Sequence, residues 1–203
     1  LIEAVWGNDA EEFIERNFHP TLTHLRRSLG DRREHSGTPP LLFQGGIYRL
    51  NPAYEWHVDV LEFEGLAQRG RQRLAAGDGE RAIELWNAAW RLYGGAFLDG
   101  FDEVWVHARR EQLERLQLQL LQGLGDLYLE RGDAEAALDA FRSALVVDPL
   151  QERTQLAVMR IYARQGRRDL VRLQYDRLRG LLRQELGVGP LPEVTAEFHR
   201  LMG

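Results

Sequence analysis

Residues 121–128 read Leu121-Gln122-Gly123-Leu124-Gly125-Asp126-Leu127-Tyr128, and the pattern continues with Ala137, Phe141, Ala144 and Pro149. Small residues such as Gly125 and Ala137 let two antiparallel helices cross closely, and the rings of Tyr128 and Phe141 fill the space beside the crossing. Pro149 ends the second helix, because proline lacks the backbone N–H that a helix interior needs. Such a pair cannot bury its own apolar face, so the pattern predicts neighbouring pairs stacked on it.

This spacing is that of a tetratricopeptide repeat, which makes an interaction protein the first expectation. An earlier trio has the same mutual offsets as Ala137, Phe141 and Ala144, namely Ala82, Trp86 and Ala89. Ala89 precedes Ala144 by 55 positions, 21 more than one repeat of ~34 residues. The excess contains the apolar loop 94–101, Gly94-Gly95-Ala96-Phe97-Leu98-Asp99-Gly100-Phe101. We expect this loop to be ordered, with Phe97, Leu98 or Phe101 largely buried.

The apolar periodicity predicts helices over residues 58–76, 80–93, 104–130, 133–148, 151–165, 168–185 and 193–202. The inward positions are Phe63, Leu66 and Leu74 in the first helix, and Leu113, Leu116, Leu120, Leu124 and Leu127 in the third. One repeat after Tyr128 and Phe141 the chain has Tyr162 and Tyr175, while Met159 and Val171 replace Gly125 and Ala137. The last helix would cap the stack.

Composition narrows the class of function. With 44% apolar and 28% charged residues the chain has the composition of a soluble globular protein, and no apolar run approaches the ~18 residues of a membrane span, so the cytoplasm is expected and no membrane partner. Cysteine is absent, and all 26 basic residues are arginine, which excludes disulfides, thiolates, phosphate-loop lysines and Schiff-base lysines. None of the three serines lies in a nucleophile elbow, and no two of the six histidines are spaced i, i+4. We therefore expect no enzyme, metal or cofactor.

The first 52 residues differ from the rest. They contain two helical stretches, a break over residues 30–40, and the run 41–50, which indicates a β-hairpin turning at Gly45-Gly46. Asn51-Pro52-Ala53 is a turn signal, so a domain boundary is predicted at residue 53.

Five strings in the second part resemble the bacterial transcriptional activator domain, the helical module of the streptomycete antibiotic regulatory protein family. They are Val58-Asp59 with Phe63; Leu92-Tyr93-Gly94-Gly95-Ala96-Phe97-Leu98; Trp105-x4-Arg110-x2-Leu113; Asp148-Pro149-x2-Glu152; and Leu186-Gly187-Val188-x-Pro190-x-Pro192-Glu193-x-Thr195. The last string is the most specific, and the five occur in the right order over residues 55–203.

The resemblance implies a mainly α fold, in which a tetratricopeptide-like domain (53–203) follows a partial winged helix-turn-helix with a β-hairpin wing (1–52). Residues 1–7 would end the preceding helix, 11–29 would contain the recognition helix, and 41–50 would be the wing. The sheet and first helix would lie before Leu1, so the chain is expected to begin inside a domain. Such regulators bind promoter DNA and contact RNA polymerase, without chemistry of their own.

At 100° per residue, the predicted recognition helix has an apolar face of Phe18, Leu22, Leu25 and Leu29. Arg16, Pro20, Thr23 and Arg27 lie opposite, with three polar residues on the flanks. With one arginine of the wing, the candidate DNA contacts are Arg16, His19, Thr23, His24, Arg26, Arg27 and Arg49. Arginine suits guanine edges or phosphates, and threonine a phosphate or a thymine methyl. Pro20 predicts either a helix start near Asn17 or a kink.

Charge places DNA binding in the first part. Residues 16–50 hold six arginines against Asp31 and Glu34, a balance of +4, whereas the whole chain is −5. The acidic helical part would then face a protein or a small effector. Without its sheet, the recognition helix could bury its apolar face in a homodimer through residues 1–50. Two alternatives remain at this point: the basic face is only a solvated surface, or the chain is a tetratricopeptide adaptor that binds a peptide and no DNA.

Overall fold

The computed structural model describes residues 11–29 and 39–203; within these, side chains are described from residue 16 onwards. The predicted helix end at residues 1–7 and most of the break at 30–40 therefore lie outside the described residues. The chain divides into two compact units, one formed by residues 1–58 with 103–105 and the other by residues 59–102 with 106–203. The assignment of domains to 1–52 and 53–203 stays a prediction.

The first unit contains one described helix and one hairpin. Helix α1 spans Glu11–Ser28, and strands β1 (Leu41–Gln44) and β2 (Ile47–Leu50) pair antiparallel, with Leu41 opposite Leu50 and Gln44 opposite Ile47. The turn is Gly45-Gly46, both with positive φ (57° and 79°), as a tight hairpin turn that matches the strand twist requires. The predicted hairpin is confirmed.

Asn51 closes the base of this hairpin. Its side chain is buried, donates from Nδ2 to the carbonyl of Pro39 (2.8 Å) and accepts the N–H of Ala53 (3.0 Å). Its carbonyl accepts the indole N–H of Trp56 at 2.8 Å. One asparagine therefore connects the chain before β1 to the turn that follows β2.

Replacing Asn51 by alanine should destabilise the first unit by about 1–3 kcal/mol, because the Pro39 carbonyl and the Ala53 N–H each lose a part-buried hydrogen bond. Amide hydrogen exchange over residues 41–50 measures this effect. Gln44, which is exposed in the same hairpin, provides the control Gln44→Ala, expected to leave exchange nearly unchanged. Equal exchange rates in Asn51→Ala and the native protein would contradict the assignment.

Seven helices follow among the described residues 59–203. They are α2 (Asp59–Ala75), α3 (Gly79–Leu92), α4 (Val104–Glu130), α5 (Ala134–Val147), α6 (Glu152–Arg164), α7 (Arg168–Leu186) and α8 (Pro192–Met202). Each predicted helix is confirmed, with bounds that differ by one residue at most. Within this unit the strongest helix packing is that of α2 on α3, followed by α6 on α7 and α5 on α6.

The turns between paired helices share one construction. Gly77, Gly132 and Gly166 have φ of 80°, 78° and 74°, which places each in the left-handed region that favours glycine. Asp78 and Asp133 follow the first two glycines and accept the backbone N–H of Arg81 and Ala136. Side-chain caps of this kind satisfy backbone donors that the first turn of a helix leaves free.

Trp86 on α3 lies between two glycines of neighbouring helices. A Cβ atom at Gly70 of α2, or at Gly123 of α4, would overlap the indole ring, and the indole N–H donates to the carbonyl of Ala67 at 3.0 Å. Gly70 precedes Trp86 by 16 positions, as Gly125 precedes Phe141. Gly70 is therefore the repeat glycine of the first pair, a position that the sequence analysis missed and that this spacing could have revealed.

Gly125 packs against Phe141. A Cβ atom at Gly125 would overlap the Phe141 ring, to which its three nearest atoms all belong. Helical side chains lean towards the N-terminus of their helix, so the ring of Phe141 covers the turn that contains Ala137. The close contact of α4 and α5 at Gly125 is as expected, and Phe141 supplies the nearest atoms.

Most of the residues that were predicted to point inward are buried. Leu113, Leu120, Leu124 and Leu127 are buried and Leu116 is half-buried, whereas Leu74, predicted to point inward, is 39% exposed. Leu74 lies in the last turn of α2, where its carbonyl accepts the N–H of Gly77 as the chain leaves the helix. A residue on the predicted inner face of a helix stays exposed where no neighbouring helix packs against that turn.

The loop 94–101 is held by hydrogen bonds more than by apolar burial. Arg110 donates to the carbonyls of Phe97 (3.1 Å), Leu98 (3.0 Å) and Phe101 (3.4 Å). Phe97 is half-buried against the core, but Leu98 and Phe101 are 38% and 53% exposed. The prediction that at least one of these side chains packs against the adjoining helices is confirmed for Phe97, whereas Leu98 and Phe101 are exposed.

Helices α5 to α8 together form a second core. Met159 and Val171, at the positions of Gly125 and Ala137, are fully buried there. On α8, Phe198 stacks on Tyr175 of α7 with ring centroids 4.0 Å apart, and Thr195 shares a 3.0 Å hydrogen bond with the Tyr175 hydroxyl. Helix α8 thus covers the end of the stack, as predicted.

Within residues 11–29 and 39–203, no helix combines the length and the apolar character needed to span a bilayer.

Candidate nucleic-acid interface

The outer face of α1 is exposed and basic. Five of the six candidate residues on this helix are exposed, and Arg26 is half-buried; the exposed five are Arg16, His19, Thr23, His24 and Arg27. Among the described residues, none of the arginines of α1 forms an ion pair with a carboxylate. These guanidinium groups are therefore available to an anionic partner.

Helix α1 begins at Glu11 and continues through Pro20. The expected start near Asn17 is therefore wrong, because the residues before it already have helical geometry. The other expectation is a kink at Pro20, because proline has no N–H to donate to the carbonyl of Arg16. This kink stays a prediction. One turn later, the Thr23 hydroxyl donates to the carbonyl of His19 at 2.9 Å. This bond leaves the methyl group and the acceptor lone pairs of Thr23 for outside contacts.

The inner face of α1 is partly covered by the hairpin. Phe18 is half-buried and meets Tyr48 of β2 edge-on, with ring centroids 5.6 Å apart, and Leu22 is buried. Leu25, predicted to belong to the core, is instead 41% exposed. Leu25 lies ~10 Å further along the helix axis than Phe18, beyond the contact with Tyr48. The inner stripe is therefore covered at Phe18 and Leu22 but not at Leu25.

Arg49, the candidate residue of the wing, is exposed and lies opposite Leu42 in the hairpin. Successive side chains of a strand point to opposite faces. Because Tyr48 packs towards α1, Arg49 projects from the other face of the hairpin. The structure therefore brings the residues of α1 together on one surface and places Arg49 apart from them.

The contacts that position this face come partly from residues the sequence analysis did not select. Tyr48 holds α1 through Phe18, and Phe43 supports Tyr48 from the opposite strand with ring centroids 4.6 Å apart. Aromatic residues directly opposite in a hairpin stabilise its pairing. In the predicted strands Phe43 and Tyr48 alternate with Leu42 and Arg49. This alternation could have identified the two aromatic residues from the sequence.

In the ranges 11–29 and 39–203, no three histidine or carboxylate side chains come together in a way that could hold a metal ion. What the site offers is positive charge and hydrogen-bond donors on a helix beside a hairpin.

The fold and this surface define a class of protein, a tetratricopeptide-like helical repeat protein with a basic helix and hairpin attached. Within it, the chain belongs to the bacterial transcriptional activator domain family, which matches residues 58–202. The resemblance drawn from the five strings is thereby confirmed.

Two relatives are regulators. The chain is 29% identical over 202 residues to Regulatory protein AfsR of Streptomyces griseus, covering 100% of this chain and 20% of that protein. It is 23% identical over 203 residues to Transcriptional regulatory protein MoaR1 of Mycobacterium tuberculosis, covering 100% of this chain and 65% of that protein. The chain thus spans about a fifth of the length of AfsR.

Two solved structures have a similar fold. Mycobacterium tuberculosis EmbR, in complex with a low affinity phosphopeptide, matches with a TM-score of 0.72 and 22% identity over 99% of this chain and 53% of that one. The C-terminal TPR-containing domain of a putative FK506-binding protein of Plasmodium falciparum matches with a TM-score of 0.51 and 11% identity, over 71% and 91%. These likenesses confirm the predicted mainly α, tetratricopeptide-like fold.

Proposed function

We propose that this chain is part of a DNA-binding transcriptional regulator that acts in the bacterial cytoplasm by binding rather than by catalysis. Residues 1–52 form the C-terminal part of a winged helix, in which α1 is the recognition helix and the hairpin is the wing. Residues 53–203 contact another protein, RNA polymerase being the partner expected for an activator. The observation that carries this proposal is the exposed basic face of α1, opposite a buried Leu22 and beside a tight hairpin.

The charge distribution supports different binding partners for the two parts of the chain. The +4 balance of residues 16–50 favours a polyanion, while the chain as a whole is −5. A helix inserted in the major groove would direct Arg16, Thr23 and Arg27 at base edges and phosphates. Arg49, on the outer face of the hairpin, would contact the backbone beside that groove.

Changing both Arg16 and Arg27 to alanine should strongly weaken specific DNA binding. Arg27→Ala alone should cost about 1–3 kcal/mol if Arg27 reads a base, or lower the salt slope by about 1 if it holds a phosphate. The measurement is a gel-shift titration at several salt concentrations. The DNA site for this titration is first selected from random DNA by the natural full-length protein.

The matched control is the double change Arg91→Ala and Arg183→Ala, which removes the same charge from exposed positions on α3 and α7. Affinity lost equally in both double variants would indicate a net-charge effect only. Unchanged affinity in the Arg16/Arg27 variant would contradict DNA reading by α1 and favour a peptide-binding adaptor.

A further inference from the structure

A cavity of about 440 Å³ opens beside the loop 94–101 in the second unit. Its walls are the first turns of α2 with Asp59 and Phe63, the end of α3 with Tyr93, the loop itself, and Leu113 of α4. The volume falls in the range of roughly 300–1,000 Å³ that is usual for small-molecule sites.

The inner wall of this cavity is apolar and aromatic. Phe63 and Leu113 are buried, and the ring of Phe63 meets that of Tyr93 edge-on with centroids 5.5 Å apart. Trp90 stacks on Tyr93 at 6.2 Å, which fixes the second ring from the other side. A ligand that enters therefore meets aromatic surface already held in place.

The polar groups at the mouth are acidic. The polar lining residues are Asp59, Asp99 and Tyr93, and no lining residue is cationic. Both aspartates are exposed, and one carboxylate oxygen of Asp59 accepts the N–H of Val60 at 2.8 Å. Burial raises the pKa of Tyr93, the nearby carboxylate of Glu114 raises it further, and Arg110 acts in the opposite direction. The phenol therefore stays neutral, and the site attracts positive charge.

Arg110 is a cation next to this cavity, and it holds the loop that forms one wall. Its guanidinium donates to the loop carbonyls of Phe97 and Leu98. These bonds hold Leu98 at a φ of 46°, in the left-handed region that leucine rarely adopts. Strain of this kind persists where the surrounding structure fixes it, and here it shapes one wall of the cavity.

Three of the five family-like strings meet at this cavity. Asp59 and Phe63 belong to the first, residues 92–98 to the second, and Arg110 and Leu113 to the third. The proposed DNA contacts use none of them. The fold therefore brings separate parts of the sequence together beside this cavity.

We propose that this cavity binds a small organic cation, whose protonated amine lies near Asp59 and Asp99 and whose apolar body contacts Phe63, Tyr93 and Leu113. Cations are attracted to aromatic faces and to carboxylates, and this site offers both in one opening. The inference does not depend on DNA binding, since the cavity lies wholly within the second unit.

The test uses three probes of one shape and different charge: phenethylamine, phenethyl alcohol and phenylacetate. Each is titrated into the 203-residue chain at neutral pH and followed by NMR shifts of the residues that line the cavity. The ammonium should bind more tightly than the alcohol by on the order of five-fold, and phenylacetate most weakly.

In the double variant Asp59→Asn, Asp99→Asn the affinity for phenethylamine should fall to about that of the alcohol, which itself should bind unchanged. The control Glu130→Gln, Glu185→Gln removes the same charge at exposed sites on α4 and α7 and should bind phenethylamine as the native chain does.

Equal affinity for the three probes, or no saturable shift at the lining residues with any of them, would overturn the proposal. So would an equal loss in the control variant, which would reveal general charge attraction. If the Asp59/Asp99 variant does not fold, the order of affinity of the three probes for the native chain still tests whether the cavity prefers a cation.

Discussion

Trp86→Ala is expected to lower the free energy of unfolding of the second unit by about 3–5 kcal/mol. Trp86 is 3% exposed and lies between Gly70 and Gly123, so its loss opens a cavity where three helices meet. The glycine backbones on both sides have no side chains that could move into the space. The removal also leaves the carbonyl of Ala67 without the indole N–H.

Chemical denaturation followed by far-UV circular dichroism measures this loss. Trp86→Phe keeps an aromatic ring but removes the indole donor, so it should cost less than the alanine change. Gly123→Ala tests the same packing from the opposite side, since a methyl group there would overlap the indole ring. A loss below about 1 kcal/mol for Trp86→Ala would show that the two glycines do not enclose this side chain.

Gly125→Leu should destabilise the second unit by about 1–3 kcal/mol through overpacking. The substituted side chain would meet the ring of Phe141, which is itself fully buried and cannot move without disturbing its neighbours. The better helix propensity of leucine, worth about 0.8–1 kcal/mol over glycine, offsets only part of the cost.

Gly180 on α7 provides a control within the same unit. A Cβ atom at Gly180 would have no neighbour within 4 Å, so Gly180→Leu should leave stability unchanged or raise it slightly through helix propensity. Thermal melts of the two variants, compared with the native chain, give the difference. A Gly125→Leu melt that coincides with the native one would contradict the close crossing of α4 and α5.

The candidate DNA-binding surface was only partly predictable. The positions of Arg16 and Arg27 opposite Leu22 follow from helical periodicity, which is a local property of the chain. The separate location of Arg49 could not be predicted from charge, because it depends on which face of the hairpin packs towards α1. The contact of Tyr48 with Phe18 decides this, and it joins residues far apart in the sequence.

Local sequence patterns predict the helix bounds, the Gly45-Gly46 hairpin and the repeat positions that become buried, such as Ala82, Ala89 and Ala144. These features depend on periodicity, backbone propensity and side-chain size, all of which act within a few residues.

Contacts between elements set three further features: Phe141 covers Gly125, Trp86 fills the space between two glycines, and Leu25, Leu74 and Leu98 are exposed. A periodic pattern gives the angle of a side chain around its helix, but not whether another element reaches that point along the axis. Burial is set by the neighbour that arrives there, and in this protein those neighbours come from other helices and from one arginine that holds a loop by its carbonyls.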